Sequence, residues 1–265
     1  MVISGTTKII FMVGNPIDQV KSPAIMNKIF VEMAVDIAVI PIAVQPDGID
    51  DFMKSFRHMN NALGAIYTVP FKQKAFAECD SVSTRAQLLE VCNVVRKDKN
   101  GTLWGDATDG LGYLAGLENH NMDPSGKVAT VIGAGGAGAA IACGLAERKA
   151  HKILILDVNL ARQEELLNRL AGAFPDTIFL RQADEGFAPD IIANATPLGM
   201  RPNDPLPFPA DQLPPFSFVS DVVTNMAMTP FLQAAKQRNC IIQTGAEMAA
   251  AQVELFANFI GTPFK

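Results

Sequence analysis

Along the first part of the chain, short apolar runs alternate with segments in which apolar residues recur every three or four positions. The runs at residues 9–13, 37–44 and 64–68 are rich in β-branched side chains and predict strands. The segments at residues 24–33 and 49–57 have the spacing of helices. Strands that alternate with helices are typical of a mostly parallel sheet covered by helices. The sequence therefore predicts an α/β domain here.

A second series of strands and helices follows the turn Asp-Pro-Ser-Gly at residues 123–126. It opens with an apolar strand, a glycine-rich turn and a helix, at residues 128–132, 133–138 and 139–148. This alternation predicts a second α/β domain. Its further strands are predicted at residues 153–156, 191–194, 218–223 and 241–244.

Two further segments complete this organisation, and the second of them bears on how the chain divides into domains. The proline-rich stretch at residues 202–215 breaks regular structure and predicts a surface loop. The last helix, at residues 247–259, lies outside the strand alternation and is expected to pack back onto the first domain. The predicted division is residues 1–106 with 246–265 for the first domain and residues 107–245 for the second.

The composition fits a soluble protein with a sizeable core, since 49% of the 265 residues are hydrophobic and 18% are charged. A net charge of −5, without any cluster of Lys and Arg, argues against nucleic acid as a partner. A small anionic ligand is still compatible, because a pocket needs only one or two cations. No signal-peptide pattern opens the chain, and no apolar run approaches the ~20 residues that span a bilayer. We therefore expect a cytoplasmic protein without a membrane partner.

The cysteines and histidines do not form a metal-binding pattern. No two cysteines have CxxC spacing, and no histidine has a partner at i, i+4. We therefore expect no metal, reduced and mostly buried cysteines, and histidines on the surface. The residues concerned are Cys79, Cys92, Cys143, Cys240, His58, His120 and His151.

The glycine-rich turn carries the first candidate chemistry. It lies between a strand and a helix, the setting in which GxGxxG binds a dinucleotide rather than forming a merely structural turn. Gly133 permits the tight turn, Gly135 lets backbone approach a pyrophosphate, and Gly138 allows close packing of helix on strand. The second domain is therefore predicted to be a doubly wound, Rossmann-type domain that binds NAD(P) at the helix N-terminus. The residues of the turn are Gly133, Ala134, Gly135, Gly136, Ala137 and Gly138.

An acidic residue, Asp157, ends the next strand about 20 residues beyond the glycines, where a carboxylate bonds the ribose hydroxyls of NAD and repels the 2′-phosphate of NADP. Val158 and Asn159 follow, where NADP-binding proteins commonly place an Arg. NAD is therefore the predicted cofactor, with NADP as the alternative if Arg162, one helical turn further on, receives the phosphate. A second interpretation makes Asp157 the N-cap of the following helix.

Six short motifs occur in an order that is specific to one family. They span residues 14–17 with 22–27, 68–72, 93–95 with 105–112, 194–200, 221–225, and 245–248 with Gln252. Their sequences are GNPI with SPAIMN, TVPFK, NVV with GDATDGLG, NATPLGM, DVVTN, and GAEM. The set resembles the motifs of the shikimate dehydrogenase family, and the resemblance covers nearly the whole chain.

The resemblance implies roles for residues in these motifs. Lys72 and Asp109 are the implied catalytic pair: the amine relays the proton of a hydroxyl group that loses its hydride to the nicotinamide, and Asp109 orients the amine. Without the motifs, Lys72 would be interpreted as a solvated surface residue and Asp109 as the N-cap of a helix. The implied substrate-binding residues are Ser22, Thr68, Asn93 and Gln252. The implied cofactor-binding residues beyond the turn and Asp157 are Asn194, Thr196, Val223 and Gly245.

Several positions depart from the family pattern, and each departure removes a polar group. Val20 replaces the first serine of a Ser-x-Ser pair that holds the substrate carboxylate, and Ala107 and Thr224 stand where Asn and Tyr are usual. A lost hydrogen bond of this kind costs about 1–3 kcal/mol. We therefore expect a relative of shikimate or quinate as the substrate. Lys21 is a candidate replacement for the lost serine, although alternation in an extended segment would point it to water.

The sequence thus predicts a shikimate dehydrogenase-like oxidoreductase that reversibly oxidises a ring hydroxyl of a shikimate- or quinate-type hydroxy acid. The alternatives are the same chemistry on a different small hydroxy or amino acid, and a non-catalytic, ligand-binding relative with a regulatory role. Retention of both Lys72 and Asp109 argues against the non-catalytic alternative, because a protein that only binds does not need the pair. The chain is expected to be a monomer or a homodimer.

Overall fold

The computed structural model describes residues 2–18, 20–201 and 203–263. Two predicted features extend beyond these ranges: Pro202 at the start of the proline-rich loop, and residues 264–265 at the end of the C-terminal segment, lie outside the described residues. Among the helices that are described, none has the length and apolar character needed to cross a membrane.

The chain forms two compact units. The first unit is Met1–Thr108 with Gln252–Lys265, and the second is Asp109–Ala251. The first boundary therefore falls inside the 105–112 motif, and the second falls inside the C-terminal helix.

The first unit is built on a six-stranded mixed sheet with the strand order β2-β1-β3-β5-β6-β4. Its strands are β1 (Lys8–Gly14), β2 (Ile37–Ala43), β3 (Ala62–Tyr67), β4 (Ser81–Val82), β5 (Val94–Lys97) and β6 (Leu103–Asp106). The predicted strands β1, β2 and β3 are parallel, whereas β5 runs antiparallel to both β3 and β6. Three of the five pairings are parallel, which agrees with the predicted mostly parallel sheet. The antiparallel pairings were not predicted, because strands of two to four residues are too short to show a hydrophobic period.

Helices and the end of the chain bury both faces of this sheet, since successive residues of a strand point to opposite faces and Ile10, Phe11, Met12 and Val13 of β1 are all buried. The helices are α1 (Ser22–Glu32), α2 (Ile49–His58), α3 (Lys72–Glu78) and α4 (Thr84–Leu89). Ile10 of β1 and Phe30 of α1 lie in the same buried cluster as Phe256 and Ile260. The C-terminal residues therefore complete the core of the first unit.

The second unit contains a six-stranded sheet in which every described pairing is parallel. Its strands are β7 (Val128–Ile132), β8 (Lys152–Leu156), β9 (Ile178–Leu180), β10 (Ile191–Asn194), β11 (Phe218–Asp221) and β12 (Ile241–Gln243). The strand order β12-β11-β10-β7-β8-β9 reverses between β7 and β10, which is the doubly wound Rossmann arrangement. This confirms the predicted fold class.

The helices of the second unit include one that starts earlier than predicted. They are α5 (Asp109–Asn119), α6 (Gly136–Glu147), α7 (Leu160–Ala173), α8 (Pro230–Gln237) and α9 (Gly245–Ile260), of which α9 continues into the first unit. Since α6 begins at Gly136 rather than at residue 139, the second half of the glycine-rich segment is already helical. Its first N–H groups therefore lie within the glycines.

Candidate active site

The glycine-rich loop lies at the carboxyl end of β7, where ligands bind in sheets whose strand order reverses. Gly133 has φ +104°, a conformation that side chains rarely adopt. A Cβ at Gly138 would lie less than 3.0 Å from the Gly133 carbonyl oxygen, so only glycine lets the helix start this close to the turn. A Cβ at Gly135 or Gly136 would meet no atom within 4 Å. The loop is thus an open cradle of backbone at a helix N-terminus, which suits a pyrophosphate.

Asp157 follows β8 and holds this loop in place. Its carboxylate accepts hydrogen bonds from the N–H groups of Ala134 and Asn159, both at 2.7 Å, and its side chain is only 6% exposed. The Arg162 guanidinium lies 3.4 Å from the same carboxylate and is half-exposed. The N-cap of α7 is Asn159, whose side chain accepts from the Arg162 N–H, so the interpretation of Asp157 as that cap is wrong.

Asn194 shapes the loop after β10 instead of facing open space. Its side chain is completely buried, and the amide donates to the Leu198 carbonyl at 2.9 Å and to the Asp221 carboxylate at 3.0 Å. Its Oδ1 accepts from the N–H and the hydroxyl of Thr196. Each polar atom of the amide therefore has a protein partner, and the predicted cofactor role of Asn194 stays a prediction.

Asp221, at the end of β11, was not predicted from sequence. Its carboxylate accepts from the Thr229 hydroxyl at 2.8 Å and from the Val223 N–H at 3.1 Å, besides the Asn194 amide. Burial raises the pKa of this carboxyl, and the three hydrogen bonds oppose that shift. The group therefore joins the ends of β10 and β11, beside the predicted cofactor residue Val223. Gly245, the last predicted cofactor residue, opens α9.

In the first unit, the motifs at residues 68–72 and 93–95 lie near the carboxyl ends of β1 and β3 and the start of β5. The Thr68 N–H donates to the Val13 carbonyl at 2.9 Å, which joins the end of β3 to the end of β1. Lys72 is the first residue of α3 and is half-buried. Its carbonyl accepts from the Cys92 N–H at 2.9 Å, next to Asn93. The structure thus brings together the neighbourhoods of Thr68, Lys72 and Asn93.

Asn93 is buried and fixes the segment that leads to Asp109. Its Oδ1 accepts from the Thr108 N–H at 2.7 Å and from the Thr108 hydroxyl at 3.2 Å. Asp109 itself is the first residue of α5, in the second unit, and is 8% exposed. Gln252 lies in the part of α9 that belongs to the first unit and is half-buried.

The start of α1 shows why position 20 contributes no polar contact. Val20 packs against the core cluster of the first unit, Lys21 is exposed, and Ser22 is buried. Lys21 occupies the N-cap position of α1, but its side chain forms no capping hydrogen bond. This alternation agrees with the interpretation that Lys21 faces outward.

A second buried carboxylate, Asp106, also escaped the sequence analysis. It accepts from the Ser83 hydroxyl, from Nε of Arg85 at 2.9 Å and from the Ala107 N–H at 2.7 Å. It therefore ties the start of α4 to the segment that precedes Asp109. No periodicity or spacing signals the contacts with Ser83 and Arg85, because these two residues lie more than twenty positions away in the sequence. Within the described part of the chain, no group of three His, Cys, Asp or Glu side chains could hold a metal ion.

Comparisons with known proteins extend over nearly the whole chain. Residues 12–95 match the shikimate dehydrogenase substrate binding domain. The shikimate dehydrogenase (NADP(+)) of Rubrobacter xylanophilus is 32% identical over 257 residues, covering 94% of this chain and 89% of the relative. The enzyme of the same name from Acinetobacter baumannii is 33% identical over 256 residues, covering 95% of both.

Two solved structures have the same fold over nearly their full length. The ligand-free 5-ketofructose reductase of Gluconobacter sp. strain CHM43 superposes with a TM-score of 0.89 at 27% identity, covering 98% of this chain and 95% of that one. Shikimate 5-dehydrogenase from Listeria monocytogenes, in complex with shikimate and NAD, gives a TM-score of 0.84 at 28% identity, with coverages of 98% and 96%. The chain belongs to the shikimate dehydrogenase family.

Proposed function

We propose that this chain catalyses the reversible, NAD(P)-dependent oxidation of a ring hydroxyl on a shikimate- or quinate-type hydroxy acid. The observation that carries the proposal is the open glycine-rich cradle at the strand-order reversal, in a member of this family that retains Lys72 at the start of α3. Relatives named shikimate dehydrogenase, and a structure solved with shikimate and NAD, support it. The test is whether shikimate or quinate drives reduction of NAD or NADP.

The proposed chemistry divides between a hydride and a proton. Bound nicotinamide supplies the acceptor for the hydride that leaves the carbinol carbon. The Lys72 amine bonds the substrate oxygen, takes up its proton and passes that proton to water. Asp109 bonds an adjacent substrate hydroxyl and orients the amine. Ser22, Thr68, Asn93 and Gln252 are the proposed substrate-binding residues.

The cofactor proposal combines the cradle with the residues around it. Gly133, Ala134, Gly135, Gly136, Ala137 and Gly138 would contact the pyrophosphate, and Thr196, Val223 and Gly245 would help to hold the rest of the cofactor. Asn194 and Asp221 act through the loop that they hold.

We propose that NAD is preferred over NADP, although the relatives above are named for NADP(+). Two backbone N–H groups fix the Asp157 carboxylate at the end of β8, so it cannot swing away from the ribose position. A fixed negative charge there repels a 2′-phosphate. Arg162 is the opposing feature, since its guanidinium lies 3.4 Å from that carboxylate and is positioned to receive a phosphate.

The first prediction concerns this preference. Wild-type protein should show a kcat/KM for NAD about tenfold or more above that for NADP, equivalent to roughly 1.4 kcal/mol of repulsion. Asp157→Asn should bring the kcat/KM values for NAD and NADP closer together, because asparagine removes the negative charge and keeps a similar shape. Arg162→Ala is the matched control and should lower kcat/KM for NADP much more than for NAD. A wild-type preference for NADP would refute the role given to Asp157 and make Arg162 the phosphate ligand.

A second candidate function is reduction of a neutral keto sugar. Two observations favour it: the 5-ketofructose reductase has a TM-score of 0.89 to this chain, and Val20 packs into the core where the family pattern has a carboxylate-binding serine. A substrate without a carboxylate would not need that serine. Initial rates with 5-ketofructose and 3-dehydroshikimate, each with NADH and NADPH, separate the two functions.

The second prediction tests the hypothesis that Lys21, although exposed at the start of α1, neutralises the substrate carboxylate in place of the serine lost at Val20. Lys21→Ala should raise KM for shikimate or quinate about tenfold, because a charge-assisted hydrogen bond contributes roughly 1.5–3 kcal/mol. KM for an uncharged analogue should hardly change. Lys28→Ala is the matched control, since Lys28 is an exposed lysine on the same helix that pairs only weakly with Glu32. Equal effects on charged and uncharged substrates would show Lys21 to be a surface residue.

A further inference from the structure

Two of the four cysteines meet in the first unit although they have no motif spacing. Cys79 is the residue directly after α3, and Cys92 directly precedes Asn93. A Cβ placed at Gly105 of β6 would lie less than 3.0 Å from the sulfur of each cysteine. Both thiols therefore occupy the space above this glycine, and the missing side chain at position 105 allows the two sulfurs to lie side by side.

The two thiols differ in their surroundings. Cys79 is half-buried, whereas Cys92 is fully buried. A hydrogen bond with Cys79, together with burial, raises the pKa of the Cys92 thiol. Cys92 therefore stays protonated at neutral pH, and Cys79 is the sulfur that a small oxidant reaches first.

We propose that Cys79 and Cys92 form a dithiol site that a hydroperoxide oxidises to an intramolecular disulfide. In the first step, the Cys79 sulfur attacks one oxygen of hydrogen peroxide, the O–O bond breaks, and Cys79 becomes a sulfenic acid while one water leaves. In the second step, the Cys92 sulfur attacks the Cys79 sulfur and the S–O bond breaks. The hydroxyl leaves as a second water with the Cys92 proton. Two thiols are oxidised, and one peroxide is reduced to two waters.

The disulfide would act on the surroundings of Lys72. Lys72 begins α3, Cys79 follows its last residue, and the Cys92 N–H donates to the Lys72 carbonyl. A disulfide bond is about 2.05 Å long, well below the distance between two unbonded sulfurs, so its formation pulls the end of α3 toward the segment that carries Asn93. We infer that oxidation lowers turnover. This consequence rests on the proposed function, whereas formation of the disulfide does not.

The chemical test uses trypsin, which cuts at Lys74, Arg85 and Arg96 and places the two cysteines in separate peptides, 75–85 and 86–96. The full chain is treated with hydrogen peroxide, unfolded in guanidinium chloride with N-ethylmaleimide present so that buried thiols are also blocked, and digested without reductant. We expect the two peptides to be joined by a disulfide. Cys143 and Cys240 should be alkylated, and they serve as internal controls. Dithiothreitol before blocking should release the peptides. Peptides that remain separate, with Cys92 alkylated or Cys79 converted to sulfinic acid, would overturn the proposal.

The functional consequence is measured on the same samples. Peroxide should lower the wild-type rate at least threefold, and dithiothreitol should restore it. Cys79→Ser and Cys92→Ser should each keep their rate after peroxide, while Cys143→Ser should respond like wild type. If the peptides are joined but the rate is unchanged, the disulfide forms and only the proposed effect on turnover is overturned. If wild-type protein has no dehydrogenase activity before oxidation, the proposed function fails, and the peptide result still decides on the disulfide.

Discussion

Lys72→Met is expected to lower kcat by at least about 100-fold, because a positioned acid–base group contributes roughly 10²–10⁴-fold to proton transfer. The affinity for NAD should stay close to wild type, since the proposed role of the amine is on the substrate oxygen and not on the cofactor. Methionine keeps most of the length of the side chain, so the half-buried site at the start of α3 stays filled. Steady-state rates give kcat, and titration calorimetry gives the cofactor Kd.

A second lysine on the same helix provides the control for this experiment. The Lys74 side chain is partly exposed to solvent and forms ion pairs with Asp50 at 2.8 Å and with Glu78 at 3.0 Å. Lys74→Met should therefore change stability slightly and leave kcat within about twofold, as expected for a surface ion pair. If Lys72→Met retained a tenth of the wild-type kcat, the amine could not be the proton relay.

Gly138→Ala is expected to remove most of the affinity for both NAD and NADP. The added Cβ would collide with the Gly133 carbonyl oxygen, which is backbone and cannot move without opening the turn. Overpacking of this kind costs about 1–3 kcal/mol, which would weaken cofactor binding by roughly 5- to 150-fold if it falls on the loop. The measurement is the Kd of each cofactor, with thermal unfolding of the same sample to show that the protein remains folded.

Gly172→Ala is the matched control for this change. Gly172 lies in the last turn of α7, and a Cβ there would meet nothing within 4 Å. Alanine there should stabilise the fold by at most about 0.5–1 kcal/mol, the value for a helix interior, and leave cofactor binding unaltered. Unchanged cofactor affinity in Gly138→Ala would mean that the glycine-rich segment is a structural turn only.

The parts of the fold that could be predicted are those with a long or local signal. The strands β1, β2 and β7 and the helices α1 and α2 each repeat their period often enough to be recognised. The helices α3 and α4 are at most two turns long, and β4 has two residues, so tertiary packing rather than local pattern defines them. The antiparallel pairing of β5 with β3 could not be predicted either, because β5 has only four residues.

The residues of the candidate site also differ in whether a local sequence signal predicts them. The glycine-rich loop is a local device, and its sequence between a strand and a helix was sufficient to place it. The buried carboxylates Asp106 and Asp221 were missed because their partners come from other elements. The meeting of Cys79 and Cys92 depends on a glycine from a third element, so it has no signature in the sequence.

The central claim is that this member of the shikimate dehydrogenase family oxidises a ring hydroxyl of a cyclic hydroxy acid. It is tested most directly by following formation of the reduced nicotinamide with shikimate and with quinate, each with NAD and NADP, in wild type and Lys72→Met side by side. We expect substrate-dependent reduction with at least one acid, faster with NAD, and nearly absent in Lys72→Met. This expectation would be contradicted if neither acid drove reduction of either cofactor, or if Lys72→Met were as active as wild type.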